Sequence, residues 1–310
     1  MLAYVAEPQA PGGYQRREVP EPEPLDHQAV VEVEAFSLNR GEIGHIALLP
    51  PGTVLGWDLA GTVVRAAADG TGPAVGAAVY GCSFTRGAWA ERVAVAADSL
   101  ALRPEGAAVT DVATLGIAGL TALYALRHGG PLLGRTVLVT GAAGGVGRLA
   151  VQLAHRAGAS VLAVVGQGPG RDLAVTGLGL ERVTLERGLE ARGTRAHLVL
   201  ESVGGASMTA AFTRVAEGGT IVSYGRSAGE PATLPADWFF TNATLHGLSV
   251  AYEHALDRTA PSALQILGDL VGARRLDAGV SLQADWAELP GAIEALMERR
   301  VAGKAVLTLR

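Results

Sequence analysis

Two rhythms of apolar residues divide the chain. Up to about residue 112, short runs with strand character (Ala29 to Ala35, Gly61 to Ala66, Trp89 to Val95) are separated by turns bearing proline and glycine, including E-P-E-P at 21–24. Runs of this kind predict a β-rich domain over 1–112. From 113 to about 248 the texture changes. V-L-V-T (137–140), S-V-L-A-V-V (160–165), R-V-T-L (182–185), H-L-V-L (197–200) and T-I-V-S-Y (220–224) alternate with amphipathic segments. Strands apolar on both faces with helices between them predict a parallel sheet covered by helices. A-T-L-H-G-L-S-V (243–250) is expected to be the edge strand of that sheet. The tail, 249–310, carries helical stretches near 261–273 and 287–300 and a closing strand A-V-L-T-L, and is expected to return to the first domain.

Composition narrows the class. The 310 residues suffice for two domains, and a hydrophobic share of 49% against 18% charged residues supplies ample core. Net charge is 25 − 30 = −5, which offers no electrostatic reason to expect nucleic acid or anionic lipid. Cys82 is the only cysteine, so an intrachain disulfide and a four-thiolate zinc site are excluded. The N-terminal M-L-A-Y-V-A-E-P lacks the features of a secretory signal, and no apolar run approaches the length of a membrane span. A cytoplasmic protein with no membrane partner is expected.

One segment carries specific chemistry. In V-L-V-T-G-A-A-G-G-V-G-R-L-A-V-Q-L-A (137–154) a buried strand enters a glycine-rich turn and then an amphipathic helix. Within Gly141, Ala142, Ala143, Gly144, Gly145, Val146 and Gly147, Gly144 permits close approach of a pyrophosphate, and Gly147 permits tight packing of helix on strand. The N–H groups at the helix start then face the phosphates. Ala142 stands where the usual pattern has its first glycine. The expected domain is therefore a Rossmann-type, doubly wound α/β sheet holding a dinucleotide. NAD-binding versions place an acidic residue about 20 residues further on. Here no Asp or Glu occurs between Gly147 and Arg171. Arg171 offers a cation for a 2′-phosphate, so NADP(H) is the expected cofactor. Glu186, at the end of the third strand, would repel that phosphate unless it points away.

The order of A-G-L-T-A-L-Y-A-L (118–126), T-G-A-A-G-G-V-G, E-S-V-G-G (201–205), S-Y-G-R-S-A-G (223–229) and F-F-T-N-A-T-L (239–245) resembles the medium-chain dehydrogenase/reductase superfamily. Within it, the chain looks like the zinc-independent quinone oxidoreductase (zeta-crystallin-like) branch. The resemblance implies a GroES-like β-rich domain before the dinucleotide domain. It also bears on the F-S-L-N-R-G-E-I-G-H stretch (36–45), where Glu42 and His45 suggest a metal pair. The zinc members carry a cysteine where this chain has Asn39, and a histidine where it has Trp57, with Asp58 following. An amide and an indole cannot build a tetrahedral zinc site. Two remaining ligands are too few, and no metal is expected there.

The resemblance implies further roles. Asn39 is expected beside the nicotinamide and substrate, as a hydrogen-bond donor to an acceptor's oxygen, and Trp57 as a wall of the pocket. Thr121 is expected near the nicotinamide. Tyr224, Gly225 and Arg226 follow the fifth strand, at the ligand-binding edge. Phe239, Phe240 and Thr241 belong to the segment whose backbone holds the carboxamide, and Gly303–Lys304 is expected near the cofactor phosphates. G-R-S-A-G (225–229) matches a hydrolase motif, but the prolines that follow it argue against the helix that motif needs. The expected activity is hydride transfer from NADPH to a quinone or other α,β-unsaturated carbonyl. An enoyl or 2-alkenal reductase of a biosynthetic pathway stays open, as does a non-catalytic NADPH-binding sensor. The edge strand at 243–250 implies a homodimer.

Overall fold

The structure is a computed structural model that describes residues 1–168 and 170–309. The chain divides into two compact units, 1–120 with 254–310, and 121–253. The sequence boundaries at 112/113 and 248/249 thus fall five to eight residues early, because the breaks lie inside helical segments where apolar texture does not change.

The 121–253 unit is built on six parallel strands. In spatial order they are Val183–Arg187, Ser160–Val165, Thr136–Val139, Ala196–Glu201, Val215–Ser223 and Thr244–Gly247. Numbered along the chain this is the order 3-2-1-4-5-6, with the switch point between the first and fourth strands. Burial follows position. Val137, Leu138, Val139, Leu198, Val199 and Leu200, at the centre, are buried. The two outer strands, Val183–Arg187 and Thr244–Gly247, alternate or face solvent. Leu138, Val199, Ile221, Met208, Ala211 and Phe212 pack together where helix Gly205–Arg214 covers the sheet. Each fully buried side chain of this size contributes roughly 1.5–3 kcal/mol.

The other unit holds a sheet in the order Val280–Asp285, Lys304–Thr308, Gln28–Ser37, Asp58–Arg65, Ala78–Cys82, Leu100–Leu102, with Arg92–Ala96 also paired to Gln28–Ser37. The C-terminal tail enters this sheet directly, with Val306 opposite Ser37. Its core gathers Phe36, Leu38, Leu59, Val79, Trp89 and Leu307, with Phe36 and Trp89 stacked. Trp89 itself lies before the strand expected to contain it. Leu2–Ala6 and Tyr14–Glu18 form a separate antiparallel pair. Among the described residues, no helix is long and apolar enough to cross a membrane.

Candidate functional site

The residues singled out by the sequence fall into two groups, one in each unit. In the 121–253 unit the glycine turn is as tight as its sequence demands. Gly141 has φ +59°, a left-handed conformation suited to glycine. A Cβ on Gly147 would stand 2.3 Å from the Gly141 carbonyl oxygen and 2.7 Å from the Ala142 Cα, so only glycine lets this helix approach the strand. Ala142, at the departure from the usual pattern, is fully buried, and its N–H donates to the Val164 carbonyl. Helix Gly145–Arg156 starts here without a side-chain cap and without an acid in its first turn. Its first amides have no partner within the helix and form an anion site. Ala143, Gly144, Gly145 and Val146 line the same turn.

The carboxyl ends of the second and third strands enclose a cavity of about 440 Å³, lined by Val165, Gly166, Gln167, Gly168, Asp172, Arg187 and Gly188. Arg171 folds back over its glycines, with its Nε 2.9 Å from where a Gly168 Cβ would sit. Arg187 pairs with Asp172 on the surface. Two arginines, Arg171 and Arg187, thus stand at this end of the sheet. Glu186 does point away: both its oxygens are taken by Arg214 at 2.8 and 3.1 Å. Arg214 is 1% exposed, so Glu186 is neutralised from inside. That pair escaped the sequence reading because its partners are 28 residues apart. A larger groove of about 620 Å³ lies in the other unit, against Arg17, Arg86 and Arg92, and holds none of the expected site residues.

The loop after the fourth strand is braced by Glu201, another residue the sequence did not flag. Its buried carboxylate accepts from the amides of Val203 and Gly204 and from the hydroxyls of Ser207 and Thr140. Gly225 packs on this loop, where a Cβ would lie 2.7 Å from the Ser202 carbonyl oxygen. The Tyr224 hydroxyl is enclosed, and burial raises its pKa. Arg226 is exposed, and no helix follows Ser227 among the described residues up to 237. Phe239 and Phe240, 67% and 72% exposed, stack on each other in the turn Trp238–Thr241. The Thr241 hydroxyl donates to the Trp238 carbonyl. Thr121 is buried at the start of this unit.

In the other unit Asn39 precedes the short helix Arg40–His45, and Glu42 reaches back to accept from the Asn39 backbone N–H at 2.7 Å. The Asn39 side chain is held at both ends. Its Oδ1 accepts from Lys304 Nζ at 2.6 Å, and its Nδ2 donates to Asp58 at 2.8 Å and to Glu42 at 3.3 Å. An ammonium can face only the oxygen and a carboxylate only the NH₂, so the amide's orientation is fixed. Both amide donors therefore serve carboxylates. In the structure Asn39 belongs to this network.

Lys304 joins the same network. It is the only lysine in the sequence and is 3% exposed. Besides Asn39 it donates to the Leu38 carbonyl at 2.9 Å and approaches Asp58 at 3.3 Å. Three acceptors match its three ammonium hydrogens. The strand register explains it: with Val306 opposite Ser37, Lys304 falls beside Leu38 and Asn39. Asp58 also accepts from Ser37 at 2.5 Å and from the Ile117 amide at 2.6 Å.

Glu42 is buried, and its second oxygen accepts from the Trp57 backbone N–H at 2.8 Å. Burial first, then the Asp58 charge, raises its pKa to about 8. Trp57 is half-buried, its ring 3.4 Å from where a Gly41 Cβ would sit. His45 is exposed and bonded to the Gly41 carbonyl of its own helix.

Comparison with known proteins agrees with this architecture. Residues 25–105 match the alcohol dehydrogenase GroES-like domain, and residues 145–267 match the zinc-binding dehydrogenase family. Erythronolide synthase of Saccharopolyspora erythraea is 32% identical over 90% of this chain, which spans 8% of that protein. The curated relatives of this kind are far longer than the matched segment. The quinone oxidoreductase structure from Coxiella burnetii is 26% identical, with a TM-score of 0.84 over 100% of this chain and 99% of that one. The Escherichia coli quinone oxidoreductase, solved with NADPH, is 22% identical and shares the fold, with a TM-score of 0.86 over 99% of this chain and 100% of that one.

Proposed function

The chain belongs to the medium-chain dehydrogenase/reductase superfamily, and from that premise we propose that it is an NADPH-dependent reductase of quinones or other α,β-unsaturated carbonyl compounds. The observation that carries the cofactor reading is the cavity at the ends of the second and third strands, with Arg187 in its lining and Arg171 beside it, next to a glycine turn that admits no Cβ at Gly147. The residues fit the group. The turn and the first amides of helix Gly145–Arg156 would hold the pyrophosphate, and Arg171 and Arg187 the 2′-phosphate. The NADPH named with the Escherichia coli structure supports the same cofactor. Bound there, the nicotinamide would supply the hydride.

On the other unit, the network fixes polarity at Asn39, and burial with the nearby Asp58 charge raises the Glu42 pKa to about 8. Trp57 offers an apolar wall suited to a flat, electron-poor acceptor. An amide and an indole give no Lewis acid to activate an alcohol, which favours reduction of a polarised alkene or quinone. A second reading, reduction of an enoyl thioester, is favoured by the erythronolide synthase match across 90% of the chain. The tail of the sheet, Thr244–Gly247, is an unpaired edge among the described residues, and we infer self-association through it.

The experiment is NADPH oxidation followed by absorbance against quinones, 2-alkenals and enoyl thioesters in parallel. Turnover with quinones or 2-alkenals supports the first reading. Turnover confined to thioesters selects the second. Tight NADPH binding with no turnover on any acceptor would leave a non-catalytic NADPH sensor.

A further inference from the structure

At the outer edge of the parallel sheet, three side chains from three elements converge. His128 follows helix Leu120–Arg127, His246 lies on the edge strand Thr244–Gly247, and Glu253 projects from helix Val250–Asp257. The Nε2 atoms of both imidazoles stand 3.3 Å from one oxygen, Glu253 Oε1. The rings lie face against face, with centroids 3.8 Å apart and planes tilted by 30°, and both Nε2 atoms reach the same carboxylate oxygen. One donor atom from each residue falls within 4.8 Å of the other two.

We propose that His128, His246 and Glu253 form a binding site for one divalent transition-metal ion of the zinc class, separate from the dinucleotide turn and from Asn39. Ligands about 2.0–2.1 Å from a tetrahedral zinc ion stand roughly 3.4 Å from each other. The two nitrogen-to-oxygen separations of 3.3 Å match that spacing without movement of the backbone. Two imidazoles and a carboxylate are a donor set that such ions favour, and they leave a fourth position for water. The three side chains are 27%, 34% and 19% exposed, so an ion can reach them from solvent. Bound there, it would tie the edge strand to the two helices beside it. The proposal is independent of the reading of the reaction.

The test is titration of untagged, chelator-treated protein with Zn²⁺ by calorimetry, and with Co²⁺ by its visible absorption. The expected result is one ion per chain, four-coordinate cobalt bands, and a thermal midpoint that rises with zinc. His246→Ala, His128→Ala and Glu253→Gln should each weaken binding by at least ~10–100-fold, while NADPH affinity and the circular dichroism spectrum stay at wild-type values. Because the ligands come from three separate elements, loss in one variant through misfolding would not be shared by all three. Absence of saturable binding in the wild type would overturn the proposal and leave two imidazoles hydrogen-bonded to one carboxylate. Binding that survives all three substitutions would overturn it as well.

Discussion

Lys304 shows how a single residue can be assigned a role by motif and another by packing. Its ammonium sits against Asp58, which is fully buried, and against the Asn39 amide. Lys304→Met would strand a buried carboxylate, with a cost of about 3–5 kcal/mol in denaturant unfolding. Adding Asp58→Asn should recover part of that loss, because the uncompensated charge goes with it. Glu42 makes a pH prediction. Its pKa in the folded chain, about 8, lies above the ordinary 4.5, so the folded state keeps a proton that the unfolded chain releases. Its contribution to stability is full below about 4.5 and is lost as pH rises through about 8. Melting curves should show the wild type losing more stability than Glu42→Gln between pH 5 and 9. At the ends of the second and third strands, Arg171→Ala and Arg187→Ala should each raise KM for NADPH by roughly tenfold or more and leave NADH nearly unchanged.

At the scale of elements, the glycine turn makes the sharpest demand. Gly147→Ala places a methyl 2.3 Å from a carbonyl oxygen, which forces helix and strand apart. About 1–3 kcal/mol of stability should be lost, and NADPH affinity should fall, as thermal melting and fluorescence titration would record. The sequence made this turn and the central strands legible because both faces of those strands are apolar, which leaves little ambiguity. Ser160–Val165 was read to the residue. Strands Ala78–Cys82 and Val280–Asp285 were not read. The first is short and glycine-bearing, and the second alternates half-buried with exposed positions beside the tail strand. Pairings set by tertiary register were beyond reach for the same reason. Asp58 with Lys304, Glu186 with Arg214, and the convergence of His128, His246 and Glu253 depend on neighbours far apart in sequence. Glu201 had a weaker signal: an acid closing an apolar strand before Ser-Val-Gly-Gly, where loop amides need an acceptor.

At the scale of the whole molecule, the fold shared with quinone oxidoreductases supports a wide range of acceptors, so the acceptor has to be read from the site. The motifs that mark the superfamily lie in the dinucleotide unit. Asn39 and Trp57, which we propose for the substrate side, lie in the other unit. Self-association through Thr244–Gly247, where Leu245 is 47% exposed, predicts a dimer mass by light scattering. A charged pair introduced as Leu245→Lys and Thr244→Glu should shift it toward monomer. We propose selection of the phosphorylated dinucleotide by Arg171 and Arg187, at the ends of the second and third strands. Its most direct test is the ratio of kcat/KM for NADPH to that for NADH in the wild-type protein, with one acceptor held constant. The account predicts a preference for NADPH of at least about tenfold, the value of roughly 1.4 kcal/mol from one well-placed charge contact. Equal use of the two, or a preference for NADH, would contradict it.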